Sequence, residues 1–280
     1  MRQAVMIAPG KIAMGEAKEP VAGPGQVRIR IQRIGVCGSD IHVFHGEHPF
    51  VTYPLIQGHE YAGVVDELGE GVTGIKLGDK VTATPQEVCG TCPPCQRGQY
   101  NACEELKVRG FQAPGCAQDF FVTEADKIIM LPEDFQPEQG AFVEPVAVAA
   151  HSTGRAGDLT GKNVVVSGAG TIGNFVAQAC KCRGAAKVLI ADVSDYRLEV
   201  ANAVGVDAVC NVTKEPLADA ARRVFGARGF EVGAEVAGVE ASLEALVAGI
   251  GKGGTLLIVG VFGERPAVDM SCLLYTSPSP

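Results

Sequence analysis

The sequence predicts an α/β protein of two domains, a β-rich domain followed by a doubly wound parallel sheet. Its 280 residues suit two domains of about 150 residues each. Strand-like segments of the first half alternate apolar and polar residues, whereas short apolar strands alternate with helices after residue 160. We therefore expect domains over residues 1–150 and 151–270, with residues 271–280 belonging to neither.

The composition is that of an ordinary soluble globular protein, with 46% hydrophobic and 20% charged residues. A net charge of −8 and a pI of about 5.2 argue against nucleic-acid or anionic-membrane partners. The longest apolar run, residues 255–262, is too short to cross a bilayer. The N-terminus lacks the apolar stretch and cleavage site of a signal peptide. We expect a cytoplasmic protein whose ten cysteines are not a disulfide framework.

The first half is predicted to be rich in strands. Residues 26–32 alternate apolar and polar side chains, as a half-buried strand does, and residues 61–68 and 79–84 are also strand-like. Glycine-rich turns separate these segments. Short strands at close spacing favour a compact barrel or sandwich of roughly 140 residues.

The second half changes to a repeating strand and helix pattern. Strands are predicted at 163–167, 187–191, 208–211, 231–236 and 255–259. Helices are predicted at 171–183, 195–204, 217–225 and 240–249. This alternation favours a parallel sheet with helices on both faces, and its five strands are one fewer than a complete dinucleotide-binding sheet contains.

A glycine turn joins the first of these strands to its helix. The turn reads Gly168-Ala-Gly170-Thr171-Ile172-Gly173. In this context Gly168 allows the turn, Gly170 lets the backbone approach a pyrophosphate, and Gly173 lets the helix pack on the strand. The helix N-terminus supplies N–H groups for the phosphates. An ordinary strand–turn–helix is the alternative interpretation.

An acid closes the second strand of this half. Asp192 can accept hydrogen bonds from adenosine ribose hydroxyls, and its charge would repel a 2′-phosphate. No arginine follows it immediately, so the sequence favours NAD over NADP.

Four cysteines lie within fifteen residues of a loop rich in proline and glycine. They are Cys89, Cys92, Cys95 and Cys103. Four thiolates suit a closed structural zinc site. Disulfides, which the cytoplasm disfavours, and an iron–sulfur cluster are the alternatives. A zinc-ribbon nucleic-acid binder has similar cysteines, but the acidic charge argues against one.

A second set of metal-binding side chains is more dispersed. Cys37, Ser39, Asp40 and His42 lie close together, Gly58 precedes His59 and Glu60, and Glu144 follows much later. Sulfur, nitrogen and oxygen ligands together suit a zinc ion with an exchangeable position. Ser39 and His42 are available to pass a proton out of such a site. His45 and His48 are expected to be solvated loop residues.

These motifs resemble the zinc-dependent medium-chain dehydrogenases, the alcohol and polyol dehydrogenases, over residues 1–270. The match includes the signature Gly58-His-Glu-x-x-Gly63-x5-Gly69-x-x-Val72, the four-cysteine loop and the glycine turn. Cys-Gly-Ser-Asp-x-His and Glu-Pro-x-Ala-Val are most similar to the sorbitol dehydrogenase-like branch. The resemblance implies a GroES-like catalytic domain followed by a Rossmann domain.

The resemblance also implies roles for individual residues. Cys37, His59 and Glu60 would hold the catalytic zinc, with Glu144 able to ligate or exchange there. Ser39 and His42 would form a proton relay, and Asp40 would orient the histidine ligand. Asp192 and Arg197 would contact the adenosine of NAD.

The expected function is hydride transfer between a secondary alcohol or polyol and NAD, with one catalytic and one structural zinc. Two alternatives remain open: an enzyme resembling L-threonine 3-dehydrogenase, and a non-catalytic zinc- and NAD-binding fragment. The resemblance implies a homodimer or homotetramer for a full-length parent.

The C-terminal string beginning at Cys272 differs from the rest of the chain. It resembles a translated sequencing adaptor, so we expect about the last nine or ten residues to be non-native and the chain to be truncated. Such a chain would lack the sixth strand and the segment that returns to the first domain. We expect it to be poorly stable or inactive.

Overall fold

The computed structural model describes residues 1–268. It forms two compact units, Met1–Glu144 and the residues from Pro145 onward. The predicted α/β fold is confirmed, with a β-rich first unit and a parallel sheet in the second. The expectation about residues 271–280 lies outside the described residues.

The first unit is built on an antiparallel sheet of five strands in the order β8-β3-β4-β5-β9. Its interior side chains, which include Val27, Ile29, Tyr61 and Phe121, are almost fully buried. A hairpin, β1-β2, and a short pair, β6-β7, form two further sheets of two strands each. The strands of this unit are β1 (Arg2–Ala8), β2 (Lys11–Glu16), β3 (Gln26–Ile34), β4 (Tyr61–Leu68), β5 (Lys80–Ala83), β6 (Gln86–Glu87), β7 (Lys107–Val108), β8 (Phe120–Glu124) and β9 (Ile128–Met130).

Helices in this part of the chain are short until the domain boundary. They are α1 (Gly38–His45), α2 (Pro93–Gln96), α3 (Pro137–Ala141) and α4 (Val143–Gly154), which continues into the second unit. The sequence patterns predicted β3, β4 and β5 but neither α1 nor α4. Helix α1 buries only Asp40 and Val43, so its sequence has no wide apolar stripe by which a helix is recognised.

The second unit contains a parallel sheet in the order β12-β11-β10-β13-β14. Its strands are β10 (Asn163–Ser167), β11 (Lys187–Asp192), β12 (Ala208–Asn211), β13 (Phe230–Glu235) and β14 (Ile250–Ile258). Its helices are α5 (Thr171–Cys182), α6 (Asp195–Ala203), α7 (Leu217–Phe225) and α8 (Glu240–Gly249). The predicted elements of this half are all present, although β14 begins five residues before the strand predicted at 255.

The strand order of this sheet reverses direction at β10. From β10 the chain proceeds outward through β11 and β12, and then returns to the other side of β10 as β13 and β14. Parallel sheets bind ligands at the carboxyl ends of the strands where the order reverses. The glycine turn that follows Ser167 lies at this point.

Within residues 1–268, every helix is too short or too polar to cross a membrane.

Candidate active site

Helix α1 carries three of the predicted site residues and begins directly after a fourth. Its first turn is fixed by Asp40, whose Oδ2 accepts a hydrogen bond of 2.9 Å from the Cys37 backbone N–H. The second carboxylate oxygen accepts from Gln57 Nε2 at 3.3 Å. Asp40 is buried, with 7% exposure, and burial raises the pKa of its carboxyl group. It therefore ties the start of α1 to the segment that contains His59.

His59 and Glu60 come from the residues immediately before β4. The turn into this strand needs glycine at Gly58, which has φ +96° and leaves only 2.8 Å between a built Cβ and Cys116 Sγ. On the other side, a Cβ at Gly35 would lie 2.2 Å from Glu60 Oε2. Gly35 thus leaves room for the buried Glu60 side chain, and Gly58 leaves room for Cys116.

Cys37, His59 and Glu60 form one cluster. One ligand atom from each lies within 4.8 Å of the others, and His59 and Glu60 are buried at 6% and 7% exposure. Burial raises the pKa of the Cys37 thiol and of the Glu60 carboxyl, and it lowers the pKa of His59. Without a cation, burial therefore shifts all three groups toward their neutral forms.

Glu144 lies near this cluster but is not one of its three ligand atoms. Burial, reinforced by the negative charge of Glu60, raises the pKa of Glu144 to about 7. Of the four predicted ligands, the structure brings three together and leaves Glu144 close enough to interact electrostatically with Glu60.

The cluster fits a catalytic zinc ion. A thiolate, an imidazole and a carboxylate are ligands that Zn²⁺ takes, and three protein ligands leave one position open for a reactant. Two acidic side chains and a buried imidazole, with one ligand atom of each within 4.8 Å of the others, are what a bound divalent cation would stabilise.

The two predicted relay residues lie one turn apart on α1. The backbone N–H and the hydroxyl of Ser39 both interact with the Cys37 sulfur and act to lower the pKa of that thiol. His42 is more than half exposed, and its Nδ1 lies 3.1 Å from Glu47 Oε2. Ser39 thus adjoins a proposed ligand, while His42 reaches solvent.

The four cysteines of the loop between β6 and β7 also cluster, with all sulfurs within 4.8 Å. Cys103 Sγ lies 3.6 Å from Cys89 Sγ and 4.0 Å from Cys92 Sγ. Both distances far exceed a disulfide bond of about 2.05 Å. They bracket the separation of about 3.8 Å that four sulfurs have around a tetrahedral zinc ion with bonds of about 2.3 Å.

The thiols of this loop have unequal acidities. Hydrogen bonds led by the Thr91 backbone N–H lower the pKa of Cys89 to about 6. Burial instead raises the pKa of Cys95 to about 12. A cation is needed to hold all four as thiolates at neutral pH, so the geometry and the donor set fit a structural zinc site.

The glycine turn of the second unit has the three properties that the sequence predicted. Gly168 has φ +111°, a conformation that favours glycine. Gly170 is the N-cap of α5 and has no atom within 4 Å of a built Cβ, so a ligand can approach its backbone. At Gly173 a Cβ would lie 1.8 Å from the Gly168 carbonyl oxygen, so the helix can pack this closely only with glycine.

Asp192 lies at the carboxyl end of β11, beside the turn. Its Oδ2 accepts from the Ala169 backbone N–H at 2.7 Å, and its Oδ1 accepts from the Ser194 N–H at 2.9 Å. Arg197 Nη1 lies 3.7 Å from Oδ2. The carboxylate thereby fixes the glycine turn while remaining at the edge of the neighbouring cavity.

This cavity has a volume of about 590 Å³, within the range of ligand pockets. Its lining combines the glycine turn and Asp192 with small and apolar side chains. The lining residues are Ser167, Gly168, Gly170, Ala191, Asp192, Val193, Arg197, Val212, Leu217, Val236, Ala237, Val239, Ala241, Ser242 and Ala245. Predicted residues Thr171 and Ile172 form the first turn of α5.

The sequence patterns missed two aromatic contacts of the metal cluster. Phe111 packs against His59 with ring centroids 4.9 Å apart. His48, expected to be solvated, is half-buried and stacks on Phe111. Neither residue belongs to a spacing motif, and only the fold brings position 111 to position 59.

Two protein families match the chain. Residues 23–133 match the alcohol dehydrogenase GroES-like domain, and residues 171–279 match the zinc-binding dehydrogenase family. The first match contains the ligand cluster except Glu144 as well as the four-cysteine loop. The second begins at helix α5, directly after Gly170.

Relatives and solved structures agree with these matches. An L-threonine 3-dehydrogenase of Shewanella baltica is 32% identical over 263 residues, covering 93% of this chain and 77% of the relative. A protein of Sinorhizobium meliloti 1021 bound to NADP has a TM-score of 0.93 at 29% identity, covering 98% of this chain and 81% of its own.

A third comparison concerns the other nicotinamide cofactor. A short chain alcohol dehydrogenase of Escherichia coli CFT073, complexed with NADH, has a TM-score of 0.91 at 29% identity. The match covers 99% of this chain and 81% of that structure. Together with the family matches, these similarities show that the chain belongs to the zinc-dependent medium-chain dehydrogenase/reductase family.

Proposed function

We propose that this dehydrogenase oxidises a secondary alcohol or polyol with NAD, using zinc held by Cys37, His59 and Glu60. The grouping of these three side chains, with ligand atoms within 4.8 Å, is the observation that carries the proposal. The four cysteines near Cys89 would hold a second, structural zinc. When bound, the catalytic zinc would lower the pKa of an alcohol and NAD would accept a hydride.

The protein's own groups would manage charge and protons in this reaction. The Cys37 thiolate and the Glu60 carboxylate together offset the charge of a divalent ion, while His59 stays neutral as a ligand. The Ser39 hydroxyl, which adjoins Cys37, would receive the alcohol proton. His42, one turn along α1 and open to solvent, would release it.

NAD rather than NADP is proposed because of Asp192. Its carboxylate has 5% side-chain exposure and adjoins the glycine turn. At this position it would hydrogen-bond ribose hydroxyls and repel a 2′-phosphate. Solved relatives hold either NADP or NADH, so the local charge is the argument for NAD.

Zinc analysis combined with NADH absorbance would test this function. We expect two zinc ions per chain and NAD-dependent oxidation of at least one member of a panel of polyols and L-threonine. Cys37→Ser should lose one zinc and the activity. Cys182→Ser, which alters an exposed cysteine outside both clusters, should keep both.

L-Threonine is the second candidate substrate, because relatives 32% identical to this chain are named L-threonine 3-dehydrogenase. Its C3 hydroxyl is also a secondary alcohol. Faster NADH production from L-threonine than from every polyol would select it. Two bound zinc ions without oxidation of any panel member would instead favour a non-catalytic zinc- and NAD-binding protein.

A further inference from the structure

Phe111 contacts two histidine rings beside the candidate metal cluster. Its ring is parallel to that of His48, with centroids 4.7 Å apart and planes inclined by 7°. It also contacts the His59 ring, with centroids 4.9 Å apart and planes inclined by 44°. Of the two histidines, His59 is the one that belongs to the ligand cluster.

The carboxylate expected to orient the His59 ring lies beyond hydrogen-bonding distance. Histidine ligands of metals generally donate the second ring N–H to a carboxylate, a carbonyl or water, which fixes the ring. Here Nδ1 has no hydrogen-bond partner among the described residues, and Asp40 Oδ1 lies 4.0 Å from it, longer than a hydrogen bond. Asp40 attracts the ring electrostatically at this distance, and packing adds to the constraint on this buried imidazole.

The loop that carries Phe111 is tied to the backbone on which His59 stands. Gly115 N–H donates to the Ile56 carbonyl at 2.8 Å, and Cys116 N–H donates to the Gly58 carbonyl at 3.0 Å. A Cβ at Gly110 would lie 2.8 Å from Gly58 N. Since both rings are anchored to adjoining backbones, Phe111 presents a fixed surface to His59.

We propose that Phe111 is a positioning residue that holds the His59 imidazole in the orientation for metal ligation. The inference rests on the proposed metal site at Cys37, His59 and Glu60. The flat ring face limits rotation of the imidazole about its side-chain bonds. The ligand is thus preorganised by an aromatic contact in addition to the Asp40 carboxylate, 4.0 Å from Nδ1.

Cobalt titration of metal-stripped protein measures this role directly. Cys37→Ser removes the thiolate of the cluster and so isolates the spectrum of the four-cysteine site. We expect Phe111→Ala to weaken Co²⁺ binding at the cluster about 10- to 100-fold and to change its d–d absorption. Binding at the four-cysteine site should be unchanged, and Phe111→Tyr should restore both cluster properties.

Phe50→Ala is the matched control. The Phe50 ring meets His48 edge-on at 6.2 Å and is 71% exposed, so its removal should leave the cobalt affinity and spectrum unchanged. Wild-type affinity and spectrum in Phe111→Ala would overturn the proposal.

Phe111→Leu separates the aromatic contact from simple filling of space and covers the case in which the alanine variant fails to fold. Circular dichroism checks that each variant retains its secondary structure. A leucine variant with the wild-type cobalt affinity and spectrum would also overturn the proposal. Wild-type protein that binds cobalt normally but oxidises no alcohol would refute the proposed function while leaving this test readable.

Discussion

Two glycines of the turn after β10 are expected to fail in different ways when replaced by alanine. At Gly173 a Cβ would lie 1.8 Å from the Gly168 carbonyl oxygen, whereas ordinary contact begins at 3.4 Å. Helix α5 and the turn must separate to make up the difference. Forcing extra volume into a packed site costs about 1–3 kcal/mol of unfolding free energy, and the N–H groups proposed to bind phosphate would move with the helix.

At Gly170 the same methyl group meets nothing within 4 Å, and its φ of −70° is open to any residue. A weaker helix N-cap is offset by the reduced freedom of the unfolded chain. We expect Gly170→Ala to keep its unfolding free energy within about 0.5 kcal/mol of wild type. The methyl group would, however, occupy the approach of the pyrophosphate, raising the Kd for NADH at least about tenfold, or about 1.4 kcal/mol.

Urea unfolding gives the stability, and the fluorescence of bound NADH gives the Kd. Gly154→Ala is the control, since it makes the same chemical change on α4 with no atom within 4 Å and should leave the NADH Kd unchanged. The reasoning is refuted if Gly170→Ala loses as much stability as Gly173→Ala, or if it binds NADH with the wild-type Kd.

Three further predictions concern the other sites. Ser39→Ala should lower kcat while leaving zinc content intact, because the cluster ligands remain; equal losses of both, measured by metal analysis and NADH absorbance, would show that Ser39 has a different role. Asp192→Asn should raise the NADP-to-NAD ratio of kcat/KM at least about tenfold, since it removes the charge and frees Arg197 from its 3.7 Å contact; an unchanged ratio would contradict the assignment. In zinc-stripped protein, the rate at which iodoacetamide modifies Cys89 should rise with pH with a midpoint near pH 6, because the thiolate is the reactive form. A midpoint above pH 8, measured by peptide mapping, would contradict this.

The parallel-sheet half could be predicted closely from the sequence because local patterns determine it. Strand β10 is buried at every position, and strands buried on both faces give continuous apolar runs that stand out between glycine turns. The bounds predicted for β10, β12, α7 and α8 agree with the structure. The prediction missed the first residues of β14 because three of them are glycines, Gly251, Gly253 and Gly254, and glycine lacks strand propensity.

The first half was less predictable because its elements depend on distant contacts. Helix α1 is held at its start by Asp40 and ends at Gly46, which adopts a left-handed conformation; neither feature produces an apolar period. The three side chains that group together in the structure could nevertheless be singled out from the sequence, since Cys37 and the His59–Glu60 pair lie in compact motifs. Phe111 was not found, because its contact with His59 crosses 52 positions of sequence and an aromatic residue in a loop has no characteristic spacing.

The prediction that Glu144 could ligate or exchange at the zinc acquires a physical basis from its relation to Glu60. The two carboxylates interact, and burial raises the pKa of Glu144 to about 7. In the absence of a cation, its ionised form is therefore about 3 kcal/mol less favourable here than in water. Cys37 and Glu60 already offset a divalent charge. We therefore propose that Glu144 would stay outside a three-ligand site and would ligate only in exchange for Glu60, because that exchange would preserve the charge balance.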